Sequence, residues 1–134
     1  GLDVSHAMLE QARRTGAYRE LFHDELEAFL ASASRQDDLV VAADVFGYLG
    51  DLEGVFQAIR RNLRPGGLLA FTVEVSSHRE EVKLLPSLRY AHSEPYLRRI
   101  ASAAGLRWQE VRRGMLRQDQ DTPVEALFVY LVRG

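Results

Sequence analysis

The sequence contains no cysteine. That absence excludes a disulfide framework, a thiolate metal site and a cysteine nucleophile. Only four prolines, one tryptophan and one lysine (Lys83) are present, so nearly all positive charge is carried by arginine. Long hydrophobic runs are missing too. The longest, Leu39–Ala43 and Leu68–Val73, fall far short of the ~20 apolar residues a membrane-spanning helix requires. Gly1-Leu2-Asp3-Val4-Ser5 lacks the basic flank and apolar stretch of a signal peptide. Seventeen basic against nineteen acidic residues leave a formal charge of −2. No electrostatic basis exists for general nucleic-acid or membrane-surface binding. The expectation is a soluble, cytoplasmic protein.

What remains is globular. The 134 residues are 46% apolar and 27% charged, a balance that buries one core and suits one domain. Gly1-Leu2-Asp3-Val4 reads as the end of a strand, and Ser5 as the cap of a helix over 6–14 that Gly16 stops. Leu21-Phe22-His23 predicts a very short edge strand. Leu26, Phe29 and Leu30 share one face of a helix over 25–32. Leu39-Val40-Val41-Ala42-Ala43 shows no alternation, which predicts a parallel strand buried on both faces, with Asp44 at its C-terminal end. Leu52, Val55, Phe56, Ile59 and Leu63 keep helical spacing until N-L-R-P-G-G at 62–67 ends the run.

A second buried strand is predicted over 68–74, then a polar, irregular segment over 76–90 whose length suggests a lid or binding loop. Ser93-Glu94-Pro95 opens a helix that Gly105 ends. Strands over 106–113 and 125–132, parted by a polar turn over 114–123, predict an antiparallel hairpin. Strands alternating with helices imply an α/β fold, a mostly parallel sheet with helices on both sides and the hairpin at its end.

Three segments at their relative positions carry a resemblance: G-L-D-V-S-H-A-M-L at 1–9, D-L-V-V-A-A-D-V-F-G-Y-L at 38–49, and L-R-P-G-G-L-L-A-F-T-V-E at 63–74. Together they resemble the doubly wound, Rossmann-like (class I) S-adenosylmethionine-dependent methyltransferases. Y-A-H-S-E-P-Y-L-R-R-I-A-S-A-A-G-L at 90–106 is similar to the helix preceding their final hairpin. The wording of 38–74 looks like the methyltransferase domain of bacterial proteins with tetratricopeptide repeats, although no such repeats occur here. In that family an earlier strand and glycine-rich turn cradle the cofactor's methionine end, and this sequence has no G-x-G-x-G. The expectation is a single N-terminally truncated methyltransferase domain, lacking the first strand and helix, with an apolar slot between the strands ending at Asp3 and Asp44. Such a fragment needs a partner segment, a swapped homodimer or a rearranged sheet.

The resemblance implies S-adenosylmethionine as cofactor. Asp3 matches the family's G-x-D-x-S acid, whose carboxylate accepts hydrogen bonds from both ribose hydroxyls; a helix-capping or solvated aspartate is the alternative. Met8 would lay its thioether on the adenine face, or serve the core. Either Asp24 or Glu25 in H-D-E-L would read the adenine amino group, unless both merely favour a helix dipole. Ala43, Asp44 and Phe46 would border the methionine moiety and the acceptor, though Asp44 could instead cap the turn after it.

His78, Tyr90 and His92 are weak candidates for substrate-side catalytic groups, against a surface or packing role. No metal site is expected, because His6 and His23 lack ligand-spaced partners. The function implied is methyl transfer to a small-molecule or protein acceptor, with the chain itself weak or inactive. Two rivals stand beside it: a noncatalytic assembly module built on the same sheet, and a Rossmann-like enzyme binding a dinucleotide.

Overall fold

The computed structural model describes residues 1–77 and 79–134. They divide into two units, Gly1–Ser34 and Arg35–Gly134.

In the first unit, β1 (Leu2–Asp3) runs parallel to β2 (Phe22–His23). Helix α1 (His6–Thr15) begins where the Ser5 hydroxyl accepts the Met8 N–H, and it ends at Gly16 in the left-handed conformation. Both boundaries follow from the cap residues. Helix α2 (Leu26–Ser32) buries Leu30, and its Phe29 ring meets Phe22 at 5.0 Å.

The second unit is organised around one long strand. β3 (Asp37–Ala42) pairs in parallel with β4 (Leu63–Val75), which is 13 residues long against six. A 3₁₀ turn over 46–48 leads to α3 (Glu53–Asn62). After β4 come β5 (Val82–Leu84), β6 (Tyr90–His92), α4 (Glu94–Ala104), β7 (Leu106–Asp119) and β8 (Thr122–Arg133). Ser93 caps α4 through the Tyr96 N–H, and Gly105 ends it. The sheet order is β5-β6-β4-β8-β7, with β3 paired to β4 outside that path.

Strand alternation decides the core. Leu69, Phe71 and Val73 of β4 lie opposite Leu131, Val129 and Leu127 of β8, and all six are buried. Helices α3 and α4 supply Val55, Phe56, Ile59, Leu97 and Ile100 to the same core, and Phe56 meets Phe71 edge-on at 5.4 Å.

Three expectations require correction. The strand at 39–43 is not buried on both faces: Leu39 and Val41 are 51% and 62% exposed, because nothing among the described residues covers them. The 76–90 segment is not wholly irregular, since the far end of β4 extends past β3 and recruits β6, which brings β5 antiparallel to it. The turn over 114–123 shrinks to Gln120-Asp121, both at positive φ, and β7 and β8 run on to meet it. Positive φ at both central residues is the hairpin geometry that matches strand twist.

Candidate functional site

In the first unit the parallel pair ends at Asp3 and His23. The Asp3 side chain is half-buried, and its Oδ1 accepts the Ser5 N–H at 2.8 Å. Asp3 thus closes an Asx turn into α1 and keeps Oδ2 for a further donor. Its main-chain carbonyl accepts the Asp24 N–H, which sets the start of the H-D-E-L segment beside it. Asp24 and Glu25 are both exposed; Asp24 Oδ1 accepts the Glu25 N–H, and Glu25 occupies the N-cap position of α2 without a side-chain capping bond. Met8 is 53% exposed, and the buried position of α1 is its neighbour Leu9. His6 and His23 stack at 3.6 Å, with His23 Nε2 bonded to the Val4 carbonyl.

In the second unit the chemistry gathers where β4 changes partners. Phe71 pairs with Ala42 of β3 and Glu74 pairs with Ala91 of β6. Asp44 sits between these two pairings. Its N–H donates to Thr72 Oγ1 at 2.8 Å, and its backbone is left-handed at φ 54°. Its carboxylate is held twice: Arg89 and Arg117 both donate to Oδ1, at 2.8 and 3.0 Å. Arg117 also donates to Glu74 Oε2 at 3.1 Å, and Arg89 to the Tyr48 hydroxyl at 2.9 Å. Glu74 is buried, and it shares the face of Thr72 because the two are two positions apart in the strand. Burial works against the Arg89 charge, but the adjacent Asp44 carboxylate more than compensates and holds its pKa above the ordinary value.

Three departures from regular backbone surround this cluster. Asp44 and Leu88 are left-handed, and a bulge in β7 lies between Met115 and Arg117. Left-handed backbone costs roughly 1–2 kcal/mol for residues other than glycine. Leu88 ends a turn in which its N–H donates to the Leu85 carbonyl, and Arg89 follows directly. Bulges turn a side chain out of its strand register. Each irregularity therefore delivers one member of the cluster.

The other residues expected at the site take different positions. Ala43 is exposed. Phe46 is fully buried, with ring centroids 6.0 Å from Phe56 and 5.2 Å from Phe71. Its side chain belongs to the core. Tyr90 is half-buried, and its ring closes on Gly50. His92 is fully buried, with Nε2 donating to the Gly50 carbonyl at 2.9 Å and Nδ1 without a partner among the described residues. His78 lies outside the described residues. Sequence reading missed Arg89, Arg117, Glu74 and Tyr48, because nothing in an isolated arginine shows which strand end it reaches. Among the described residues no group of three His, Asp or Glu side chains could hold a metal ion. Among the described residues no helix is long and apolar enough to cross a membrane.

Residues 1–69 match a family model described as a methyltransferase domain. The chain belongs to that family. A curated relative, malonyl-[acyl-carrier protein] O-methyltransferase of Enterobacter lignolyticus, is 35% identical over 109 residues, covering 78% of this chain. The chain spans 41% of that relative's length. Among solved structures, a putative S-adenosylmethionine-dependent methyltransferase from Listeria monocytogenes superposes with a TM-score of 0.77 at 14% identity, covering 100% of this chain and 79% of its own. The N-methyltransferase NodS from Bradyrhizobium japonicum, solved with S-adenosyl-L-homocysteine, gives 0.73 at 21% identity, covering 98% and 64%. These likenesses establish the Rossmann-like methyltransferase fold and do not single out the repeat-bearing group.

Two buried groups give this methyltransferase domain a pH-dependent stability. Burial lowers the His92 pKa, against the opposing pull of the nearby Gly50 and Leu49 backbone. Below the ordinary value of 6.5 the unfolded chain takes up a proton that the folded chain refuses, so stability falls as pH falls. The Tyr96 hydroxyl, which donates to Asp51 Oδ1 and accepts the Leu52 N–H, is pushed from 10.0 to about 12, mainly by burial. Between those values the unfolded chain loses a proton that the folded chain keeps, so stability falls as pH rises. Melting temperatures followed from pH 5 to 11 should trace both declines. His92→Leu should flatten the acid limb and Tyr96→Phe the alkaline one.

Proposed function

We propose that the chain is part of a domain that binds S-adenosylmethionine and serves methyl transfer to an acceptor carrying an oxygen or nitrogen nucleophile, the chain alone being weak or inactive. One observation carries the reading. Asp3 stands at the C-terminal end of a parallel strand with one carboxylate oxygen turned into the helix cap and the other left for a ligand. That is where open α/β sheets bind nucleotides, and an acceptor-only group suits a ribose diol. Met8, exposed on the first turns of α1, and Asp24 or Glu25, exposed after β2, suit the adenine ring and its amino group. In the second unit, Ala43 and Asp44 follow the end of β3, as the family's methionine-side residues do. Phe46 contributes by anchoring that turn in the core.

The cofactor supplies a methyl group on a sulfonium. The acceptor's lone pair forms the new bond to the methyl carbon while the carbon–sulfur electrons leave with sulfur. A carboxylate acceptor loses no proton; a hydroxyl or amine gives one to water or to a side chain. Positioning and exclusion of water supply most of such catalysis. The name of the Enterobacter relative places its acceptor on a malonyl group, which supports a carboxylic acid here too.

The domain is proposed to need one further strand with a glycine-rich turn. Leu39 and Val41 are exposed on β3, which pairs only with β4 among the described strands. Calorimetric titration with S-adenosylhomocysteine, of this chain and of a form extended upstream, tests the reading. Saturable binding by the extended form is expected, and Asp3→Ala should weaken it about a hundredfold, the scale of charge-assisted hydrogen bonds to a diol. Binding by neither form would leave the noncatalytic assembly module ahead. Affinity for NAD alone would favour the dinucleotide enzyme.

A further inference from the structure

We propose that Arg89 and Arg117 form a carboxylate-reading fork, and that the acceptor is an organic acid whose carboxylate enters where both guanidiniums now hold Asp44. The inference rests on the methyltransferase reading for the word acceptor, but the fork stands on the second unit alone. Two guanidiniums from distant parts of the chain, one from the turn before β6 and one from the β7 bulge, converge on a single oxygen. Both are about three-quarters buried, at 22% and 24% side-chain exposure, while Asp44 keeps 39%. Largely buried arginines directed at one carboxylate oxygen beyond the C-terminal end of a parallel strand are placed as a ligand clamp is placed.

Backbone irregularity argues the same way. The chain is left-handed at Asp44 and at Leu88, the residue before Arg89, and the β7 ladder breaks just before Arg117. Strained backbone persists where the surroundings over-determine it, and it gathers at ligand clamps. A surface ion pair needs none of this, because flexible side chains find each other without backbone distortion.

The donor inventory leaves room for a ligand. Arg89 uses one amino nitrogen on Asp44 and the other on Tyr48; Arg117 uses one on Asp44 and the other on Glu74. Each guanidinium carries more N–H groups than these bonds consume. Glu74, held by Arg117 and buried, fixes the orientation of that guanidinium. Asp44, the more exposed acid, is the one an incoming carboxylate replaces. The two arginines face two acids as they stand, so a ligand acid takes the guanidiniums only as the partly exposed Asp44 carboxylate turns out to solvent, whereas a cation would meet two arginines first.

Malonate, with malonamide as its neutral counterpart, tests the fork by ¹H–¹⁵N correlation spectra of the labelled chain. Malonate should give saturable shifts at Asp44, Arg89 and Arg117, and malonamide none. Arg89→Gln and Arg117→Gln should each weaken the response about tenfold, the scale of a lost charge-assisted pair. Asp44→Asn, which removes the internal competitor, should tighten it by a similar factor. That gain cannot come from misfolding. Equal response to malonamide, malonate binding that survives in the Arg89→Gln/Arg117→Gln double variant, or no gain in Asp44→Asn would each overturn the fork. Malonate binding with no S-adenosylhomocysteine binding by either the chain or its upstream-extended form would sink the methyl-transfer reading and leave the fork standing; the reverse pattern would sink the fork alone.

Discussion

Phe56→Ala is expected to remove about 3–5 kcal/mol of stability from the second unit, the range found when a buried phenylalanine is cut back to a methyl group. Phe56 is fully buried. It stands between Phe46, at 6.0 Å between ring centroids, and Phe71, at 5.4 Å, and those two rings lie 5.2 Å apart. The three come from α3, the 3₁₀ turn and β4, so one truncation loosens three elements at once. Tilted and edge-on rings add electrostatic attraction to the buried area, which places the loss in the upper half of the range. Urea denaturation checks the value, and a loss below about 1 kcal/mol would show that the neighbours collapse into the space. Because Phe46 follows Asp44 by two residues, the variant should also broaden the Asp44 amide resonance.

Gly67→Ala should follow at about 3 kcal/mol, through crowding rather than a cavity. A β-carbon at 67 would lie 2.9 Å from the Arg64 carbonyl oxygen and 3.0 Å from that of Asp37, with Leu63 Cδ2 at 3.1 Å. Two of these three are main-chain atoms of paired segments, so relief requires β3 and β4 to move apart at Asp37 and Leu63. The Leu63 carbonyl is also held by the Arg133 guanidinium of β8, which stiffens the turn further. Gly66→Ala makes the matched comparison. Its φ is +81° but nothing stands within 4 Å of the added carbon, so only the backbone term remains, about 1 kcal/mol. Equal losses in the two variants would mean that the close approach at 67 relaxes.

Adjacent glycines in N-L-R-P-G-G thus serve different needs, and the sequence shows only that a turn occurs there. Much else was legible. Ser5 and Ser93 start helices by accepting amide protons, and Gly16 and Gly105 stop them in the left-handed conformation. Such boundaries are local: cap residue and helix end lie within one turn, so the residues carry the information themselves. Val55, Phe56 and Ile59 announced the core face of α3 by spacing alone. Asp3 was legible at the end of its strand for the same reason.

The full length of the hairpin and the arginine cluster were not. Gln120-Asp121 carries no glycine, and the residues from 114 onward read as loop, yet β8 pairs with Gly114, Met115, Arg117, Gln118 and Asp119 and the strands extend. Arg89 and Arg117 stand 45 and 73 positions from Asp44. Neither has a pattern that separates it from the other arginines. The residues by themselves set the helices, their caps and the acid at the first strand end, because each depends on neighbours within a few positions. Which arginines meet which acids was settled by β4 outlasting β3 and taking β6 in its place, a consequence of unequal strand lengths that appears once the sheet is assembled.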